Sequence, residues 1–352
     1  MSAGHYPALL LSPVRRVITF YSASAGGKAL TIRLILGILA SLGLGWLASR
    51  GLDWHEVWKT LRDLPLYVVA LALLVFLLSN LARAYRWRLL FLQEHISVLR
   101  LFLIENIGLG LNNVLPVRIA SEATQFTLLT LRDKISRGTA LATLGMTRIM
   151  DIWASTLLLA LGLLFVPGAG QLARYAAGGF LFSLLLLALV RFLAWGSRGL
   201  PLMERVPLLR TFAASVAELE REKARLIASL AVSLSQWVLL GICGWIVAWG
   251  MDITLSLPQA VLLILATIFV ATSIPALPGA IGTFEAAMVY IMGLFEVYRD
   301  LAFPYALVMH ALLFLPPTIL AAVLLPREGV GSLRELRSRA QSWTESPPQD
   351  HR

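Results

Sequence analysis

A chain of 352 residues that is 58% hydrophobic and only 14% charged, with a mean hydropathy of +0.77, is not an ordinary soluble domain; it reads as a polytopic membrane protein. A net charge of +10 would suggest nucleic acid in a soluble protein, but basic cytoplasmic loops account for it here, and no nucleic-acid partner is expected. The single cysteine, Cys243, lies in an apolar run, which excludes an internal disulfide and reads as a small core hydrophobe.

Residues 1–29 are mixed in character and read as a cytoplasmic N-terminal segment, with no signal peptide evident. A membrane domain follows over 30–325, in halves of 30–195 and 226–325. Six spans are expected, at about 30–48, 66–82, 138–166, 176–195, 226–249 and 303–325, each near the length a bilayer requires. Residues 50–64 read as a short loop of balanced charge. The block Arg83-Ala-Tyr-Arg-Trp-Arg88 at the end of the second span reads as an interfacial anchor with no chemistry of its own. The segment 197–225 places Leu208, Phe212, Val216 and Leu219 on one helical face, and reads as an amphipathic helix lying on the membrane between the halves. Residues 326–352 read as a basic cytoplasmic tail.

Two stretches break the apolar pattern. The first, 112–122, runs Asn-Asn-Val-Leu-Pro-Val-Arg-Ile-Ala-Ser-Glu, with Glu105 and Asn106 just upstream. The second is 272–285. Each has a proline followed by a glutamate, Pro116 by Glu122 and Pro278 by Glu285. Half-helices of about 101–112 and 118–131, and of about 258–274 and 280–295, are too short to span alone. They predict two re-entrant hairpins, the first entering from the cytoplasm and the second from outside. The halves then form an inverted repeat, the arrangement of many secondary transporters. With the N-terminus inside, 23 Lys and Arg fall in inside segments and 5 in outside loops. That bias places both termini in the cytoplasm of a bacterial inner-membrane protein.

Arg118, Glu122, Arg148, Asp151, Glu285 and His310 all fall at membrane depth, where a charge costs about 2.5–3.5 kcal/mol on insertion scales. Such residues face the protein interior and are functional candidates by default. Arg148 and Asp151 are three apart, so they read either as site residues or as an ion pair within one helix. His310 reads as a packing residue. A helix starting after Pro116 or Pro278 points free N–H groups and a positive dipole end inward, which suits an anion. Gly279 and Gly282 permit close backbone approach. The expected ligand is therefore a membrane lipid with a phosphate-containing head group. No metal-ligand spacing, nucleotide motif or nucleophile–base arrangement is present, so a non-enzymatic protein without cofactor or metal is expected.

The order Arg86-Trp87 with Leu89-Leu90, Asn113-Val-Leu-Pro116 with Arg118 and Glu122, Arg148 with Asp151, and Pro278-Gly-Ala-Ile-Gly282 with Glu285 resembles the lysylphosphatidylglycerol synthase transmembrane region, or flippase-like domain family. The resemblance covers about residues 30–325. It departs at Ser121, Gln125 and Thr147, where the family often has Gly, Arg and Glu, and the last two changes remove charges from the site. The resemblance implies translocation of an aminoacylated phospholipid, or a part in glycolipid or hopanoid pathways. The soluble aminoacyl-transferring domain of longer members has no counterpart here, so lysyl transfer is not expected. Two other readings stand beside a lipid translocator: an accessory or scaffold for a lipid-biosynthesis enzyme, and a secondary transporter of a small anion.

Overall fold

The computed structural model describes residues 27–114, 119–164, 173–196, 207–274 and 277–328, and every regular element among them is helical. Four of these helices are long and apolar enough to cross a membrane: α3 (Leu66–Leu89), α6 (Arg137–Leu164), α9 (Lys223–Gly250) and α12 (Arg299–Arg327). A fifth crossing arises if α1 (Gly27–Ser49) is joined to α2 (Trp54–Asp63) through their 88° bend. The stretches expected as spans at 30–48 and 176–195 are α1 and α7 (Ala173–Gly196). The protein is thus an all-α polytopic membrane protein.

Residues 50–64 are not a loop. Asp53 caps α2, its carboxylate accepting the backbone N–H of His55 at 2.9 Å, and this holds a short helix across the ends of α1 and α3. The basic segment between the halves also differs from expectation. Its described part forms α8 (Pro207–Arg221), on which Val216 and Leu219 are buried and Phe212 partly so, packed against α6, α7 and α9 in a core shared with α3 and α4 (Val98–Val114). Protein covers the Phe212, Val216 and Leu219 part of that apolar face. Residues 197–206, the expected cytoplasmic segment up to residue 26 and the tail from 329 lie outside the described residues.

Both broken pairs form. The first is α4 followed by α5 (Ile119–Thr127), which runs on into a π-helical turn, Leu128–Arg132. The second is α10 (Leu257–Ser273), a 3₁₀ turn at Pro278–Ala280, and α11 (Thr283–Leu294). Ser256 caps α10, with Gln259 reaching back to its N–H at 2.8 Å.

The ends of each pair lie together, and the two pairs lie at opposite ends of α12. Arg100, in the first turn of α4, donates to Asp133 just past the π turn at 2.9 Å and to Glu328 at the end of α12 at 3.0 Å. At the other end of α12, Arg299 donates to the carbonyls of Leu47 and Ala48, and Asp300 accepts the Asp53 N–H. The second pair starts and stops here. Gly250 at the end of α9 abuts Leu64 and Val68 at the start of α3, Trp245 of α9 donates to the Leu255 carbonyl just before α10, and α11 ends five residues before Arg299. The tips meet midway. The Asn113 amide donates to the Phe314 carbonyl at 3.0 Å and to Thr318 Oγ1 at 2.9 Å, while the Asn113 carbonyl oxygen is 3.3 Å from where a Cβ on Gly279 would stand. α12 is 29 residues, or about 43 Å, long, so this meeting point falls near its centre. Gly110 lets α4 approach: a Cβ there would overlap the Pro317 carbonyl and the Ala321 side chain.

The clamp at the first pair's ends gives a pH prediction. Hydrogen bonding from Arg100, with the charges of Arg100 and Arg132 behind it, holds the Glu328 carboxyl below its ordinary value, against the opposing effect of burial. A lowered folded value means the contribution is complete above the usual glutamate range, near pH 4.3 or so, and is lost as pH falls through the lower folded value. Glu328→Gln is expected to cost about 1 kcal/mol or less at neutral pH and to flatten the acid limb of a stability–pH profile. Thermal melts between pH 3 and pH 7, or roughly that range, check this.

Candidate functional site

The face of α3 that turns inward carries the adjacent pair Ser79 and Asn80, then Arg83 and Arg86 at steps of three, beyond the apolar contacts of Val68, Ala72 and Phe76. Three arginines and three carboxylates gather against it. Arg83 Nε lies 2.7 Å from Glu105 Oε1 and its Nη2 lies 3.4 Å from Asp151 Oδ2. Arg86 grips both oxygens of Asp151 and also donates to Ser233 Oγ of α9 at 3.3 Å. Arg148 donates to Glu122 Oε1 at 2.9 Å and approaches Asp151 only to 4.0 Å. Asn80 donates to Asn106 at 3.1 Å, and Ser79 to the Gln236 carbonyl at 3.1 Å, which continues the polar seam between helices.

Among the described residues the charges balance, as suits a place where water is scarce. They are graded in access. Arg86 has no exposed surface, and the side chain of Asp151 is 14% exposed. The side chains of Arg148 and Glu122 are 37% and 40% exposed. Glu122 Oε2 accepts no hydrogen bond among the described residues. The cluster is therefore sealed at Arg86 and open at Arg148. Ser121, Gln125 and Thr147, the three departures from the resembled pattern, are buried beside it, and Gly108 of α4 faces Ser121 and Gln125 so closely that a Cβ there would overlap them.

The second cluster is at the other break. Glu285 Oε2 accepts the Gly282 N–H at 2.7 Å, closing the first turn of α11. Glu285 Oε1 contacts His310 Nδ1, and His310 Nε2 lies 2.9 Å from the Gly279 carbonyl oxygen. Phe284 and Phe314 flank the imidazole, with ring centroids 4.9 and 4.2 Å away. Gly279 and Gly282 have φ of 74° and 83°, which suit glycine, and Ala280 between them is also left-handed at 56°.

The expected site residues thus fall into two groups. Glu122, Arg148 and Asp151 belong to the first; Pro278, Gly279, Gly282 and Glu285 belong to the second. Asn113 touches the second group from the first hairpin. Glu122 and Glu285 share no hydrogen-bond or ion-pair partner among the described residues. Pro116 and Arg118 lie outside those residues.

One reading from sequence needs correction. The Arg83–Arg88 block is not a simple interfacial anchor, because Arg83 and Arg86 turn into the cluster and Trp87 is fully buried. The signal was helical phase: Arg83 and Arg86 continue the face of Phe76, Ser79 and Asn80, whereas Tyr85 points out and is 48% exposed. Arg148 and Asp151, left open between site residues and a pair within one helix, meet at 4.0 Å, and each has a closer partner on another helix. His310 is a packing residue, as read, with Phe284 and Phe314 against its ring and both ring nitrogens partnered, one of them by Glu285. Glu105 completes the first group and stands beside the first break in the chain. Among the described residues no group of three or more His, Cys, Asp and Glu is disposed to hold a metal ion.

No curated protein matches the chain. Comparison with protein families matches residues 34–321 to the lysylphosphatidylglycerol synthase TM region. With that match covering most of the chain and two opposed broken-helix pairs meeting at a polar centre, this protein belongs to the lysylphosphatidylglycerol synthase transmembrane-region family, a membrane protein family related to lipid modification or flipping.

Proposed function

We propose that this protein moves a lipid with a phosphate-bearing head group between the leaflets of a bacterial cytoplasmic membrane, without altering it chemically, and with both of its own termini in the cytoplasm. The observation that carries this reading is the graded charge cluster. Sealed pairs at Arg86–Asp151 and Arg83–Glu105 hold the helices; the half-open pair Arg148–Glu122 is free to exchange partners. A phosphate that replaces Glu122 at Arg148 keeps the guanidinium paired, with charge-assisted bonds of the bidentate kind Arg favours. The displaced carboxylate faces the same opening and can meet water or a cationic part of the head group. The meeting of the two hairpin tips at mid-α12 supplies the second element such a path needs: irregular backbone at membrane depth, held within protein.

Reconstitution in liposomes with labelled lipids and a leaflet-accessibility assay tests the reading. Wild-type protein is expected to accelerate exchange of a phosphate-bearing lipid, and Arg148→Ala to slow it by about tenfold, the effect of losing roughly one charge-assisted hydrogen bond. Wild-type protein that moves no lipid overturns the reading. If it also binds a lipid-modifying enzyme tightly, the scaffold reading takes its place.

A further inference from the structure

His310 has an acceptor on each side. Its Nε2 lies 2.9 Å from the carbonyl oxygen of Gly279, and its Nδ1 contacts Oε1 of Glu285. A carbonyl oxygen only accepts, so Nε2 carries a proton whenever that bond is kept. The contact at Nδ1 needs one proton more. It sits on the ring, giving imidazolium against carboxylate, or on Glu285, whose O–H then donates to a neutral ring. The two arrangements hold the same number of protons, and the pair is neutral in both.

Loss of one proton ends this balance. If the ring keeps its bond to Gly279, a bare Nδ1 faces a carboxylate, lone pair against lone pair. If the ring proton moves to Nδ1, the carboxylate keeps its bond and Gly279 loses its own. Either outcome changes a restraint on the second break. The same carboxylate holds the Gly282 N–H through its other oxygen, so the pair grips both left-handed glycines of the turn. Gly279 in turn meets the Asn113 carbonyl at the tip of the first hairpin, and Ser41 Oγ of α1 accepts the Leu277 N–H at 2.8 Å at the mouth of the break.

We propose that Glu285 and His310 form a proton-binding site, and that taking up and releasing one proton there switches the second break between a held and a released shape, coupling lipid movement to a proton gradient. The coupling rests on the transport reading above; the proton site does not. The proton arrives from water on one side of the membrane and leaves to water on the other. Side-chain exposures of 12% for His310 and 9% for Glu285 leave a narrow route to solvent.

Among the described residues, no competing charge faces the pair from the helices around it. α10 carries no ionisable residue. On α11 the remaining one is Tyr290, which is 71% exposed. On α12, Tyr305 donates to the Gly244 carbonyl, Arg299 and Asp300 are bound at the far end, and Arg327 is in the last turn. On α4, Glu105 is held by Arg83 and Arg100 by Asp133 and Glu328. The charges of α1, Lys28 and Arg33, precede Ser41 by two turns or more.

The test has two parts. In lipid nanodiscs, ¹⁵N-histidine spectra follow the five histidines, with His310 assigned by its loss in His310→Gln. Its signal is expected to move across a pH series, with the Gly279 amide moving at the same midpoint. In Glu285→Gln the Gly279 amide is expected to stop following. A His310 signal that stays fixed, or one that moves while Gly279 does not, overturns the proposal. In liposomes, a gradient of about one pH unit is expected to bias the leaflet distribution of the transported lipid by up to about tenfold for one coupled proton. A trapped pH dye records the proton, and His310→Gln abolishes the bias. Lipid movement indifferent to the gradient overturns the coupling and leaves the transport reading standing. No lipid movement, with His310 and Gly279 titrating together, supports the proton site and overturns the transport reading instead.

Discussion

Asp151→Ala is expected to destabilise the protein by about 3–5 kcal/mol, the usual result of removing one partner from a buried ion pair. Asp151 is the anchor for two arginines. Arg86 has no exposed surface and would keep only Ser233 as a side-chain partner; Arg83 would keep Glu105. The Arg86 guanidinium cannot reach bulk water without moving α3 away from α6 and α9. The protein contains its own reporter. Cys243 is the sole cysteine and is fully buried on α9, so a thiol-reactive dye labels it only when the helix bundle opens. Asp151→Ala is expected to label at a lower temperature than wild type. Arg148→Ala, at a side chain 37% exposed, is expected to cost about 1 kcal/mol or less. Paired replacement of Arg86 by Met and Asp151 by Leu separates stability from function. It removes both charges at once, so it is expected to recover most of the stability lost in the single variant. Identical labelling of wild type and Asp151→Ala would mean that the pair does not hold these helices together.

The contrast between the two arginines of α3 and the two breaks shows what a sequence can disclose. The breaks were legible because they are local. Pro116 and Pro278 interrupt apolar runs, and the half-helices around them, now α4, α5, α10 and α11, are too short to cross a bilayer alone. Loop charge suggests opposed entry, and the ends of the two pairs lie at opposite ends of α12. The inward turn of Arg83 and Arg86 was not legible, because a basic residue at a span end looks the same whether it snorkels to the interface or pairs within the bundle. Only its phase relative to Ser79 and Asn80 distinguished the cases.

Partner choice was the other limit. Arg148 and Asp151 are neighbours on one helix, yet the tighter contacts go to Glu122 and Arg86 on other helices. Two oxygens and a planar guanidinium brought in from opposite helices can meet face to face, whereas side chains three apart on one helix rise side by side. The contact between His310 and Glu285 likewise spans 25 residues and depends on how α11 folds back on α12. Asp53 followed by a Glu three residues on carries the capping signal that places α2, whereas the balanced charge of 50–64 by itself suggests a loop.

The close approach of α1 to the second break yields the remaining large effect, and it can be read from a matched pair of glycine substitutions. Gly282 has φ of 83°, and a Cβ there would overlap the backbone carbonyl of Ser41 and stand 3.3 Å from the Cα of Gly45. The left-handed backbone costs an L-residue about 1–2 kcal/mol. The overlap adds about 1–3 kcal/mol, because the obstacle is main chain and α1 must shift as a body. Gly282→Ala is therefore expected to lose about 2–5 kcal/mol, and to loosen the N–H bond to Glu285 that closes the turn. Gly43, on the same stretch of α1, has nothing within 4 Å of its Cβ position and a helical backbone. Gly43→Ala is expected to hold or gain stability, by up to about 1 kcal/mol, from the higher helix propensity of alanine. Labelling of Cys243 on heating reads both. Glycine content alone would make the two substitutions equivalent; contact between α1 and the break makes them opposite in sign. If Gly282→Ala melts with wild type, then α1 does not lie against the break in the membrane, and the grip of Glu285 on Gly282 cannot transmit a change there to the first helix.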